Sequence, residues 1–176
     1  MSTNTKKRCI MIFPKLNNIN IINAIRDKYD PLSQNVLPHI TLVFPFDSEI
    51  STSRLEEHVL ESLKGKQSFD LTLQGVSKQD DFGFYLFLNI VKGNEIIKDL
   101  HDKLYTGLLK HYKPVWLTDF TPHMTIGHLS TKKELLYAYR DIKAMNDKFI
   151  SHIDTISVEI IDENEDSILE IEVNLS

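Results

Sequence analysis

The pattern Pro38-His39-Ile40-Thr41-Leu42 returns at Pro122-His123-Met124-Thr125-Ile126, about half a chain later. In extended backbone, residues two apart point to the same face. His39 and Thr41 therefore share one face while Ile40 and Leu42 point into a core, and the second copy behaves alike. Each proline favours an extended start and is excluded from a helix interior. The repeat thus demands two short strands, each presenting one imidazole beside one hydroxyl. Strands facing each other across a cleft would bring two histidines and two threonines onto one small anion. In a chain of this composition chance supplies roughly 0.4 His-x-Thr triplets, and on the order of 0.002 once the proline and both apolar neighbours are required.

Such a constellation suits phosphodiester chemistry. One group must activate the attacking oxygen and another must protonate the leaving one. Histidine titrates near 6.5 when unperturbed, so two imidazoles hold opposite protonation states around neutrality. Thr41 and Thr125 are donors for the charge that builds on the phosphoryl oxygens. Gly127, next on the cleft face by strand parity, either lets a ligand approach the backbone or serves packing. Val43 falls on the cleft face by the same parity, and His128 on the opposite face from His123, as a structural residue. Metal ligation is the rival role for the histidines, but no His-x-His, His-x-x-x-His or nearby carboxylate pair completes a ligand set. No metal or cofactor is expected. His58, His101, His111 and His152 lack motif context and read as surface or satisfied positions.

The chain has 176 residues, 41% hydrophobic and 26% charged, enough for one globular domain with a sizeable core. A net charge of −5 argues against sequence-blind binding of duplex nucleic acid, which needs a broad basic face. The single cysteine, Cys9, permits no internal disulfide and reads as a buried, reduced thiol. The apolar run after Arg8 is too short for a signal peptide, and nothing approaches a membrane span, so a cytoplasmic protein is expected.

Residues 1–7 are polar and read as a loose tail. Strand 8–13 and a helix over 18–29, with Ile19, Ile22, Ile25 and Tyr29 on one stripe, precede the first motif strand, 38–44, ended by Pro45. Ser53-Arg54-Leu55-Glu56 fits a capping box for a helix over 54–64, stopped at Gly65. Residues 69–75 and 84–91 form a hairpin across a polar turn at 77–83. Asn94 caps a helix carrying Ile97, Leu100, Leu104 and Leu108. The loop 111–121 brings Tyr112, Trp116 and Phe120 near the second motif strand, 122–129; Trp116 or Tyr112 could stack on a base, though core packing explains them as well. Lys113 beside them is left outside the site. Thr131 opens another capped helix, and strands over 156–160 and 169–175 close the chain. Both halves read strand, helix, motif strand, helix, strand, which suggests a duplicated unit.

The two His-x-Thr motifs resemble those of the 2H phosphoesterase superfamily, which also contains proteins named 2′-5′ RNA ligases and cyclic phosphodiesterases. Tyr29-Asp30-Pro31 and Leu104-Tyr105-Thr106-Gly107 are similar to a small Gram-positive bacterial branch of it. The resemblance is clear over about residues 8–129 and looser after them. It implies an α+β fold of two pseudo-symmetric lobes of antiparallel sheet, helices outside and a central cleft, with His39, Thr41, His123 and Thr125 as catalytic residues. It further implies a metal-independent phosphodiesterase acting on a nucleotide or RNA 2′,3′-cyclic phosphate or a 2′-5′ linkage. A 2H enzyme that cleaves cyclic oligonucleotides, and a non-catalytic module that binds nucleotides or RNA ends, are the alternatives. The intact histidine pair favours an enzyme, because binding alone needs no two titratable groups.

Overall fold

A computed structural model describes residues 5–176. The strands are β1 (Lys6–Ile12), β2 (Ile40–Ser48), β3 (Phe69–Gln79), β4 (Phe84–Lys92), β5 (His123–Leu129), β6 (Phe149–Ile153), β7 (Thr155–Ile161) and β8 (Ser167–Asn174). The helices are α1 (Ile19–Tyr29), α2 (Thr52–Ser62), α3 (Asn94–Leu104) and α4 (Lys132–Ile142), with a short 3₁₀ turn over Gly107–Tyr112. All strands join one curled antiparallel sheet in the order β6-β3-β4-β5-β2-β1-β7-β8. This is the α+β architecture with two four-stranded lobes and helices outside.

The lobes meet at the motif strands through one residue pair, Ile40 with Met124. They are not the two halves of the sequence. Strands β3, β4, β5 and β6 come from the middle of the chain, and β1, β2, β7 and β8 flank them on both sides. The helices are exchanged: α1 packs on β5, and α3 packs on β2. Apolar residues from both lobes, among them Ile10, Ile22, Leu42, Leu86, Leu100 and Ile126, fuse into one buried core.

Several local expectations change. Of the expected tail, residues 1–4 lie outside the described residues, while Lys6 and Lys7 already belong to β1. There Lys6 and the buried Arg8 grip Glu170 on β8 at 3.0 and 2.7 Å. Strand β2 runs through Pro45, which is tolerated because the pairing with β1 slips between Arg8 and Ile10, leaving Pro45 without a ladder partner. The cap of α2 is Ser51, whose hydroxyl accepts the Arg54 amide, rather than Ser53. Gly93, at φ 103°, precedes α3, and Asn94 is the first helical residue. Only α4 carries a complete capping box, between Thr131 and Glu134. Strand β3 extends to Gln79 and narrows the hairpin turn. Strand β6 is an addition; its Phe149, Ser151 and Ile153 are buried alternately against β3.

Candidate active site

The proline before each motif histidine leaves the preceding carbonyl free to turn back on the ring. His39 Nδ1 lies 2.8 Å from the Leu37 carbonyl oxygen, and His123 Nδ1 lies 2.8 Å from that of Thr121. A carbonyl can only accept, so Nδ1 carries the proton in both rings and Nε2 is left for chemistry. The Ile40–Met124 pair fixes the rest. One step to either side of an antiparallel pair, His39 lies across from Thr125 and Thr41 across from His123. The four predicted residues therefore come together at the seam between the lobes.

Both rings are partly buried, and burial pushes each below the ordinary imidazole value. For His39 the Leu37 carbonyl and Asp30 oppose this shift, while the Arg26 cation and His123 itself reinforce it. For His123 the Thr121 carbonyl opposes it. The loop that delivers His39 is clamped by the buried Arg26, which bonds Asp30 at 2.8 Å and donates to the carbonyls of Val36 and Leu32. Arg26 takes a position between Ile22 and Tyr29 on the buried stripe of α1. The signal in the sequence is a lone arginine on an apolar stripe, four residues before an aspartate.

Parity fails just beyond each threonine. The pairing of β1 with β2 slips past Leu42, and that of β4 with β5 slips past Ile126, so each motif strand carries a bulge at the same place. Val43 consequently joins the core instead of the cleft, and Phe44 takes the cleft position. Gly127 likewise faces away. A Cβ there would meet Leu86 at 3.0 and 3.2 Å and Tyr29 at 3.2 Å, so it is a packing glycine beneath α1. His128 turns to the cleft side. It stacks on Tyr85 at 4.4 Å, Tyr85 stacks on Phe87, and Phe87 lies 3.8 Å from His123 between ring centroids. Tyr85 and Phe87 are two apart on one strand, so the two histidines share their face.

Where β2 diverges from β5, its backbone finds partners on α3. The buried His101 donates from Nδ1 to the Leu42 carbonyl at 2.7 Å, and the Tyr105 hydroxyl accepts the Phe44 amide at 2.9 Å. His101 is thus structural, stacked on Phe120 at 3.8 Å. His58 bonds the Leu104 carbonyl and His152 bonds Asp70. Cys9 is buried on β1, where its Sγ donates to the Val43 carbonyl at 3.1 Å, and burial, then Glu159, push the thiol up to about 12. It is an inert thiol that ties β1 to the bulged stretch of β2.

Two hollows flank the seam. One, of about 910 Å³, is lined by His123, Thr125, Phe87 and Trp116. The other, of about 540 Å³, is lined by Phe13, Leu37, Ser157 and Glu159. His39 and Thr41 line neither, and strand order puts β2 between them. Trp116 is 52% exposed at the rim, whereas Tyr112 packs against Phe46. Lys113 sits 3.9 Å from Asp102, outside both hollows. No helix among the described residues is long and apolar enough to cross a membrane.

A curled sheet that sets two His-x-Thr strands side by side defines a two-histidine phosphoesterase scaffold. The sequence profile of the 2′-5′ RNA ligase superfamily matches residues 14–165, and the chain belongs to this family of 2H phosphoesterases. A chain from Geobacillus thermodenitrificans named "Putative phosphoesterase" is 31% identical over 149 residues, 82% of each chain. A relative of the same description from Bacillus licheniformis is 30% identical over 119 residues, 67% of this chain and 68% of its own. Among solved structures, apo E. coli LigT superposes with a TM-score of 0.65 at 14% identity, covering 98% of each chain. LigT complexed with 3′-AMP gives 0.67 at 13%, covering 98% and 99%. At that identity the likeness is one of fold.

Proposed function

We propose that the protein is a metal-independent cytoplasmic phosphodiesterase that hydrolyses the 2′,3′-cyclic phosphate of a nucleotide or RNA end, or a 2′-5′ phosphodiester. His39, Thr41, His123 and Thr125 are its catalytic residues. The observation that carries this reading is the matched pair of Nδ1–carbonyl bonds, which present two Nε2 atoms from adjacent strands. The neutral imidazole takes a proton from water as its oxygen attacks phosphorus. The cationic imidazole gives a proton to the departing ribose oxygen, so one P–O bond forms as another breaks. The threonine hydroxyls donate to the non-bridging oxygens, where charge accumulates. LigT, of the same fold, has been crystallised with 3′-AMP and with phosphate.

The test is to incubate chelator-treated protein with 2′,3′-cyclic nucleotides and 2′-5′ dinucleotides and identify the products. Opening of the cyclic phosphate to a 2′-phosphate without added metal is expected. Activity lost to EDTA and restored by one divalent ion would overturn the two-histidine mechanism.

A further inference from the structure

The two hollows are chemically unlike, and neither is built for a polyanion. The larger offers rings and neutral hydrogen-bonding groups. Phe82 and Trp116 stand exposed at its rim, 6.2 Å apart and 33° between planes. Gln79 and Asn89 line its floor, and the Gln79 Oε1 has no hydrogen-bond partner among the described residues. Among the described residues its one formally charged lining residue is Asp119, and no lysine or arginine lines it. Its volume is of the size that encloses a small ligand.

The smaller hollow is acidic. Row by row, Thr41 is followed across the sheet by Met11, Ser157 and Glu172, and Cys9 by Glu159, so both carboxylates stand on the same face as Thr41. Glu159 is 5% exposed and accepts the Ser167 hydroxyl at 3.0 Å. Lys15 is the single cation lining this hollow among the described residues. Nearby cations are spent elsewhere: Lys7 on Glu165, Arg8 on Glu170 and Arg26 on Asp30.

Proteins that hold single-stranded nucleic acid pair stacking rings with a positive groove that follows the backbone. This cleft has the rings without the groove. We infer that its substrate carries one phosphodiester and no second phosphate, with the nucleobase in the hollow of Trp116 and Gln79 and an uncharged hydroxyl end, not a further phosphate, against Glu159 and Glu172. The substrate class is a mononucleotide-sized ester, and an oligonucleotide end is rejected because its next phosphate meets carboxylates. This inference rests on the phosphodiesterase reading above.

The experiment compares 2′,3′-cyclic AMP with a tetranucleotide ending in the same cyclic phosphate and bearing a 5′-hydroxyl. Both kcat/KM and calorimetric binding are measured, at low and at high salt. The mononucleotide is expected to lead by at least about tenfold at low salt, and the gap to shrink as salt screens the carboxylates. E172Q, and E159Q/E172Q if it retains the parent melting temperature, should raise the oligonucleotide-to-mononucleotide ratio about threefold or more. An oligonucleotide used or bound as well as the mononucleotide, or a ratio unmoved by E172Q, overturns the inference. If neither is cleaved, the phosphodiesterase reading fails, and the binding ratio still decides this one.

Discussion

The rings of Phe87 and His123 lie 3.8 Å apart between centroids at 32°, whereas the nearest ring partner of His39, Phe13, is 5.9 Å away at 56°. Two imidazoles held identically at Nδ1 thus differ in what covers them. An aromatic face attracts a cation by about 1 kcal/mol, so His123 is better suited to the protonated role and His39 to the neutral one. Phe87→Leu should lower the His123 titration midpoint in an NMR pH series and leave His39 in place. Equal movement of both rings would refute the assignment.

His39→Ala and His123→Ala should each lower turnover of a 2′,3′-cyclic nucleotide by about 10²- to 10⁴-fold. The double variant should be far less than multiplicatively worse, because the pair acts as a unit. Thr41→Ala and Thr125→Ala remove one hydrogen bond to the transition state and should cost roughly 10- to 100-fold. Steady-state kinetics on folded variants decides. A single histidine variant with parental turnover would remove that residue from the mechanism.

Both imidazoles are pushed below their ordinary value, burial first in each case. The acid limb of kcat/KM belongs to the base and the alkaline limb to the acid, so both limbs shift downward. The optimum should lie on the acid side of neutrality. Stability follows the same sign: the unfolded chain binds these protons more readily, so stability is full above the ordinary imidazole value and falls as pH drops through it. A melting temperature that rises on acidification through that range, or a rate profile flat across it, would contradict this.

Arg26→Gln should destabilise the fold by about 3 kcal/mol, because it strands the buried Asp30 carboxylate and two loop carbonyls. Arg26→Lys should recover only part of that, since an ammonium cannot reproduce the planar fork. The loop leads to Leu37, so activity in both variants should fall more than the unfolded fraction explains. Denaturant melts beside kcat/KM measure the two effects separately.

Gly127→Ala should cost about 1–3 kcal/mol, because its Cβ presses on Leu86 and Tyr29 in a packed interior. Leu86→Ala removes one of the crowding atoms but opens a cavity of its own, so the double variant should be less stable than either single one yet lose less than the sum of the two. An unchanged melting temperature for Gly127→Ala would place this residue on the open face after all.

The sequence disclosed much of this because alternation is local: His39, Thr41, His123 and Thr125 lie at spacings of two, and the proline marks where each strand opens. It misled where one inserted residue reversed the count. Leu42-Val43 and Ile126-Gly127 are both doubled inward positions, and nothing in a periodic apolar pattern distinguishes a bulge from a strand that simply runs on. For that one reason Val43, Gly127 and His128 lie on the face opposite to the one strand parity predicts. The nesting of one lobe within the other was hidden differently. Pairing of β1 with β7 depends on contacts across most of the chain, and Phe149–Ile153 becomes a strand only because β3 offers it an edge.

The exchange of α1 and α3 has a mechanical meaning. Each motif strand is backed by a helix that belongs, along the chain, to the opposite lobe, so spreading the lobes would strip Tyr29 from Gly127 and break the bonds of His101 and Tyr105 to β2. The helices act as crossed straps on a clasp. The gap between the two imidazoles is then a fixed gauge rather than a jaw that shuts, and a ligand must match it on arrival.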